Sequence, residues 1–495
     1  MTTEREVKVP VSSTFRVPDL AGVLPGTSIV ALEGKSLDAT YYDSRDVRLS
    51  RWGASLRFRT GEGWTVKLPS SGDELLEREE VSVPGAEGVV PAAALDLLTA
   101  FLRSAEVRPV ARLHTERAMA RIVDTSGTVL AEVVDDEVVA GTDAGSETSF
   151  REIEIEVGPQ TPTGLLAATV TRLRWHGAGA PDPRPKVVRA IGPAAEAPAD
   201  VVVPSLPKDP TAAEVVHRAL ATSVERLILH DPAARLDEDV EGVHQARVAT
   251  RRLRSDVRSF GPLLDLDQLT VVRSELRWLG GLLGAARDVD VLLDRLRGRV
   301  SEVGLADRAG AASAVEFLER QDERRHAELM DGLRSDRYVG LLDSLIAVAN
   351  DPPFAPDAEG PAYEILPTLL DAPWASLRKA VKRTAKDRSD EALHAVRIRA
   401  KRVRYAAEAV APVLGPDVDE LAAAAAELQT VLGEHQDAVV AETWLRTWTV
   451  EDGTRDAAFA AGILAGMERR AADAARRSWP RAWKRLRAAR RRASS

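Results

Sequence analysis

Cysteine is absent from the 495 residues. That excludes disulfides, thiolate metal sites and cysteine nucleophiles, and it fits a reducing compartment. Aromatic residues are scarce, at 4%. Reading bases in RNA or DNA normally takes aromatic stacking or groove contacts. With a net charge of −9, the chain is not expected to bind nucleic acid generically. No run of about 18 apolar residues occurs, so no membrane span is expected. The opening Met-Thr-Thr-Glu-Arg-Glu carries charge at once, which is unlike a signal peptide. A cytoplasmic location is expected. What is present is a soluble, globular composition, 44% apolar and 29% charged, long enough for two or three domains.

The chain changes period along its length. Up to about residue 160 the alternation is that of β-strands. Strands are expected at 40–43, 55–59, 64–68, 79–83, 118–123, 129–134 and 150–157, with hairpin turns at Gly61-Glu62-Gly63 and Ser126-Gly127. Helical interruptions are expected at 91–103 and 162–175. Many antiparallel strands with charged inner faces point to a barrel or cupped sheet. A Pro/Ala-rich stretch, 192–210, reads as a linker. From Thr211 the period is helical, and a second loop at 350–361 divides this half. The expected fold is therefore α+β and multidomain: an N-terminal antiparallel β domain at 1–195, a linker at 196–210, and an all-α domain of two bundles at 211–490.

The helical half repeats itself. His244-Gln-Ala-Arg247-Val-Ala-Thr-Arg251-Arg252-Leu-Arg254 matches His394-Ala-Val-Arg397-Ile-Arg-Ala-Lys401-Arg402-Val-Arg404, 150 residues on. Leu283-Gly284 to Asp288 matches Leu432-Gly433 to Asp437 at 149. Two matches at nearly one offset mark an internal duplication, with copies at about 211–349 and 362–490. Spacings of three and four put His244, Arg247, Arg251, Arg254 and Arg258 on one helical face, and His394, Arg397, Lys401 and Arg404 on another. Stacked cations repel, and a multivalent anion offsets that repulsion; guanidinium groups suit phosphate. A base-free polyanion such as polyphosphate fits better than nucleic acid.

These residues resemble the CHAD family, the conserved-histidine α-helical domain, over about 211–490. The resemblance implies a polyphosphate-binding module with a basic surface. Gln436 stands where the first copy has Arg287, so equal binding by the two halves is not implied.

The β half carries charge at alternate positions. Glu4, Glu6 and Lys8 share one strand face, as do Arg57 and Arg59, Arg78 and Glu80, and Glu152, Glu154 and Glu156. Lys67 follows on its own strand. Ile153, Ile155 and Val157 take the face opposite the glutamates and are expected to pack under helices. Alternating charge is ordinary on a solvated sheet; five such sets in one domain point to a site. Hard carboxylate oxygens suit Mg²⁺ or Mn²⁺, and Lys and Arg suit phosphate.

The ordered set resembles the CYTH family of triphosphate tunnel enzymes over about 1–195. The matching residues are Glu4-x-Glu6-x-Lys8, Tyr41-Tyr42-Asp43, Leu56-Arg57-x-Arg59, Lys67, Glu79-Glu80, Arg117, Asp136, Phe150-x-Glu152-x-Glu154 and Lys186. The resemblance implies an eight-stranded antiparallel tunnel holding its substrate inside. Members include inorganic, thiamine and RNA triphosphatases and one class of adenylate cyclase. On this basis Glu4, Glu6, Glu152, Glu154 and Glu156 are candidate ligands for Mg²⁺ or Mn²⁺. Arg57, Arg59, Lys67, Arg117 and Lys186 are candidate phosphate clamps, with Arg78, Glu80 and Asp136 as further tunnel residues. Lys8 would orient a water or stabilise developing charge beside Glu4 and Glu6.

The expected function is a metal-dependent triphosphatase of inorganic tripolyphosphate joined to a module for long-chain polyphosphate. The latter would act as a substrate reservoir or as an anchor on polyphosphate granules. The alternatives are a nucleotide cyclase or a nucleoside or thiamine triphosphatase, and a non-catalytic polyphosphate scaffold. The oligomeric state is left open.

Overall fold

Strand alternation sorts the first 200 residues into an outside and an inside. A computed structural model describes residues 2–69, 76–142, 145–158, 160–236, 240–452 and 454–494; the side chains of 2–4, 76–78, 240–241 and 449–452 lie outside that description. The chain divides into two units, Met1–Asp200 and Val201–Ser495.

The first unit holds β1 (Thr2–Val11), β2 (Ser28–Ser44), β3 (Ser55–Arg59), β4 (Gly63–Leu68), β5 (Leu76–Val83), β6 (Val107–Val123), β7 (Val129–Thr142) and β8 (Glu147–Val157). They are ordered β1-β5-β4-β3-β2-β6-β7-β8, all antiparallel, and β8 pairs back to β1 to close the barrel. Short helices are α1 (Arg48–Arg51), α2 (Ala92–Leu97), α3 (Thr99–Leu102), α4 (Leu165–Trp175), α5 (Lys186–Ile191) and α6 (Pro193–Glu196). Ile153 and Ile155 turn outward and pack with Leu165 and Leu173 of α4, as the alternation led one to expect. Glu152, Glu154 and Glu156 therefore face inward.

One end of the interior is apolar. Leu113, Ala111, Val138 and Ala140 share their strand faces with the inward Arg117 and Asp136, and they cluster with Val187 and Val188 of α5. The helix thus stoppers the barrel with its apolar face. Its Pro185 N-cap, with no amide hydrogen to satisfy, suits that start.

Several boundaries differ from the sequence pattern. β2, β6 and β7 run well beyond 40–43, 118–123 and 129–134. The outer part of β2 is largely exposed, so its residues do not alternate, and the long ladder with β6 defines it instead. The helix expected over 91–103 breaks at Leu98 into α2 and α3. Both expected hairpin turns are present, with Gly61, Gly63 and Gly127 at positive φ. The 192–210 stretch is not a free tether throughout. Ala195 is buried in the first unit, and Asp200 accepts from the Trp52 indole at 2.8 Å and pairs with Arg103. Farther on, the Pro204 carbonyl accepts from Arg218, in the second unit.

That unit contains α7 (Ala212–Arg235), α8 (Val240–Ser259), α9 (Thr270–Glu302), α10 (Arg308–Leu333), α11 (Asp336–Asn350), α12 (Ala362–Ile365), α13 (Asp371–Thr384), α14 (Asp390–Leu414), α15 (Pro416–Asp452) and α16 (Arg455–Arg492). A capping box of Thr211 and Glu214 starts α7. The two copies interlock. One core joins Leu220 and Val257 of the first to Val403, Leu428 and Leu486 of the second. Another joins Leu296 and Leu318 to Leu445 and Leu464. No helix among the described residues is long and apolar enough to cross a membrane.

Asp43, matched by resemblance to a tunnel motif, has a structural task. Its carboxylate accepts from the amides of Ser44, Leu49 and Ser50 and from the Ser50 hydroxyl, pinning α1 to the end of β2. Asp43→Ala leaves these buried donors unanswered and should lower unfolding stability by about 1–3 kcal/mol. Chemical denaturation of the full chain measures this, and an unshifted midpoint removes the assignment.

Candidate active site and anion-binding face

Register brings the charged rows together. Lys8 on β1 lies opposite Glu154 on β8, and Glu6 opposite Glu156. Arg117 on β6 lies opposite Asp136 on β7, which lies opposite Glu152 on β8. Directly opposed residues share a face, so all seven point into the lumen. The Lys8 ammonium sits 3.0 Å from Glu6 and 2.8 Å from Glu154. Arg117 grips Asp136 through two bonds of 2.8 and 2.7 Å, and its outer nitrogen is 3.4 Å from Glu154. Lys186, carried on α5, is 2.8 Å from Asp136, 3.1 Å from Glu152 and 2.7 Å from Glu154.

Burial disfavours every one of these charges, and pairing decides the outcome. Burial works against the Glu154 carboxylate, but Lys186, Lys8 and Arg117 outweigh it and hold it well below the usual range. Burial likewise opposes the Lys8 ammonium, yet Glu154 and Glu6 keep its pKa above the ordinary lysine value. Lys8 therefore stays protonated at neutral pH.

The facing wall is cationic. Tyr41, Arg57, Arg59 and Lys67 come from β2, β3 and β4. Lys67 pairs with Glu80, and Arg57 lies 3.8 Å from the same carboxylate. Burial tends to raise the Tyr41 phenol, but Arg57, Arg59 and Lys67 together hold it below its ordinary value. The two walls enclose about 520 Å³, partly open to solvent, lined by six cations and three carboxylates.

The donor set suits a divalent ion. Glu6, Glu154 and Glu156 each bring a carboxylate oxygen within 4.8 Å of the others, and hard oxygen donors fit Mg²⁺ or Mn²⁺. Glu152 does not join this trio. Its carboxylate is taken by Lys186 and by Arg189, also on α5. The side chains of Glu4 and Arg78 lie outside the described residues.

In the helical unit, α8 and α14 pack against each other, and the two basic faces converge. Burial, then Arg397, Arg251 and Arg247, push the Lys401 ammonium down to about 8, with Asp437 opposing. Burial also lowers Arg397, where Arg251 and Arg247 add to the effect and Asp437 opposes it. Arg258 is lowered by burial and by Arg402, Arg254, Arg273 and Arg277. Such crowding of like charge from both copies is unfavourable without an anion. Some expected members are already neutralised. Arg252 pairs with Asp256 and Glu408, Arg404 with Glu408, and Arg247 with Asp288. His244 is half-buried beside this face. His394 is held through Nδ1, 2.6 Å from the Gln436 side-chain oxygen.

Sequence reasoning missed Arg189 and the place of Tyr41. Arg189 follows Lys186 by three residues, the spacing of one helical face. That signal was available once a helix after Pro185 was considered. The phenol of Tyr41 gave no comparable signal, because only the pairing of β2 with β3 sets it opposite Arg57.

Comparison with known proteins agrees with this geometry. Residues 2–173 match the CYTH domain model and residues 218–446 the CHAD domain model. Uncharacterized proteins from two strains of Mycobacterium tuberculosis are each 34% identical over 479 residues, covering 89% of this chain and 88% of theirs. Among solved structures, PptA from Streptomyces chartreusis is similar at 26% identity over 55% of this chain and 99% of its own, with a TM-score of 0.44. The CHAD domain from the plant Ricinus communis is similar at 25% identity over 59% and 97%, with a TM-score of 0.48. The chain belongs to the CYTH family of triphosphate tunnel enzymes and carries a CHAD domain on the same polypeptide.

Proposed function

We propose that the tunnel is a divalent-metal-dependent triphosphatase for inorganic tripolyphosphate, and that the helical unit binds long-chain polyphosphate. The observation that carries this reading is the lining of the lumen. Apart from its charged groups it presents, among the described residues, only Tyr41, Ser55 and Pro185. A base, a sugar or a thiamine ring calls for apolar surface to lie against, and this wall offers little. A short chain of phosphates needs only cations and metal.

Glu6, Glu154 and Glu156 would hold Mg²⁺ or Mn²⁺, which when bound supplies charge neutralisation and activation of water. The remaining work falls to the chain's own residues. Arg57, Arg59 and Lys67 take the phosphate oxygens on the facing wall, and Arg117 and Lys186 take those nearer the carboxylates. Lys8 is a fixed cation, so it acts by orientation and charge and not as a base. Glu152, bound to Lys186 and Arg189, holds α5 in place instead of holding metal. Positioning and neutralisation are what phosphoryl transfer chiefly requires. The helical unit would keep polyphosphate near the enzyme, raising the effective concentration of phosphate chains, in the cytoplasm or at polyphosphate granules.

With Mg²⁺ or Mn²⁺, phosphate release from tripolyphosphate should exceed that from ATP or thiamine triphosphate. Glu6→Gln and Glu154→Gln should each cut it at least ~100-fold, about 2.7 kcal/mol of barrier. Equal turnover of ATP, or formation of a cyclic nucleotide, rules this reading out.

A second expectation concerns pH. A polyanion favours the charged form of Lys401, so binding takes up a proton once that lysine is neutral in the free protein. Long-chain polyphosphate affinity should therefore weaken as pH rises through about 8. The dependence should flatten in Lys401→Arg, and calorimetry at several pH values reads it. An identical pH profile in the variant removes Lys401 from the binding face.

A further inference from the structure

The groove between α7, α8 and α14 differs in kind from the tunnel. It spans about 1370 Å³ and is open to solvent. Val215, Val248, Ala409 and Pro412 give it an apolar wall, while Arg226 and Arg251 bring charge. Two other arginines there, Arg252 and Arg404, share the Glu408 carboxylate, and Arg252 also pairs with Asp256. Arg218, Arg226 and Arg251 enter no ion pair among the described residues, Arg218 donating only to the Pro204 carbonyl, which leaves three uncompensated cations beside an apolar surface.

Tyr405 supplies the independent observation. Its side chain lines the groove and is only 6% exposed. Its hydroxyl has no hydrogen-bond partner among the described residues. A buried hydroxyl is normally satisfied. Burial raises this phenol above its ordinary value despite the arginines around it, so it stays a neutral O–H able to donate and to accept. The ring is fixed by the guanidinium groups of Arg251 and Arg404, 5.6 and 5.7 Å from its centroid.

A bare phosphate chain answers the unpaired cations but has nothing to lay on Val215, Val248, Ala409 and Pro412. An uncharged apolar compound answers the wall and leaves the cations unmet. We propose that this groove binds a nucleoside polyphosphate, with phosphates at Arg251 and Arg226, base and sugar against the apolar wall, and a polar edge at the Tyr405 hydroxyl. Arg251 also belongs to the basic face of α8, so nucleotide and long-chain polyphosphate compete for it. The proposal does not depend on what the tunnel hydrolyses.

The test uses the full chain with Arg57→Ala/Arg59→Ala, so that the tunnel does not dominate anion binding. ATP, adenosine and tripolyphosphate are titrated by calorimetry. ATP should bind more tightly than adenosine, and added long-chain polyphosphate should displace it. Tyr405→Phe, which keeps the ring, should weaken ATP about fivefold, the usual worth of one hydrogen bond. Val248→Glu, at a half-buried position, should weaken it more than ~10-fold by placing a carboxylate beside the phosphates. Tripolyphosphate affinity should be unaffected by Tyr405→Phe. Failure of ATP to bind overturns the proposal. So does equal ATP affinity in both variants and their parent, or a loss of tripolyphosphate affinity in Tyr405→Phe as large as that of ATP, which would make the groove a plain anion site.

Discussion

Charge enclosed in a closed barrel has to be matched locally, and that constraint organises the first unit. Taking a carboxylate or ammonium out of water costs several kcal/mol per ion, roughly, unless a partner and further hydrogen bonds compensate. Asp136 and Glu152 are almost wholly enclosed, as is Glu154. Each is answered by a lysine or arginine reaching in from a neighbouring strand or from α5. The matching is uneven across the lumen. Carboxylates crowd the β1–β8 side, where the metal-suited trio lies, and cations crowd the β3–β4 side. An anion accompanied by a divalent metal would complete this pattern from the middle.

The same stopper helix serves fold and site at once. The valines of α5 close the apolar end of the barrel, while Lys186 and Arg189 extend from it to the acidic row. Displacing α5 would expose apolar surface and strip partners from three buried carboxylates together. The helical unit solves anion attraction differently. Duplication sets two basic helices face to face, and burial together with the crowded arginines depresses the Lys401 ammonium, with Asp437 only partly offsetting them. Enclosure and fixed pairs suit a short, defined substrate; a crowded half-open face suits a long polymer of variable length.

Face membership was legible in the sequence, and depth was not. Alternation separates Glu152, Glu154 and Glu156 from Ile153 and Ile155, because the period of a strand is two. It says nothing of how far along the axis each glutamate sits. Register with β1 and the reach of α5 decide that, leaving Glu156 with the trio and Glu152 with Arg189. Arg117, Asp136 and Lys186 lie far apart in sequence and were assigned only through family resemblance; long-range pairing brings them together. In the helices, spacings of three and four identified the basic faces of both copies. Which cations are spent on Glu408, Asp256 or Asp288 depends on tertiary packing. The interlocked core likewise escapes a reading of each copy by itself.

The central claim is that the barrel interior holds a triphosphate between a metal-bearing carboxylate wall and a cationic wall. A crystal of the full chain grown with Mn²⁺ and a non-hydrolysable tripolyphosphate analogue tests it most directly. The account requires anomalous density among Glu6, Glu154 and Glu156, with phosphate oxygens at Arg57, Arg59 and Lys67. Manganese bound elsewhere, or an interior containing only water, contradicts it.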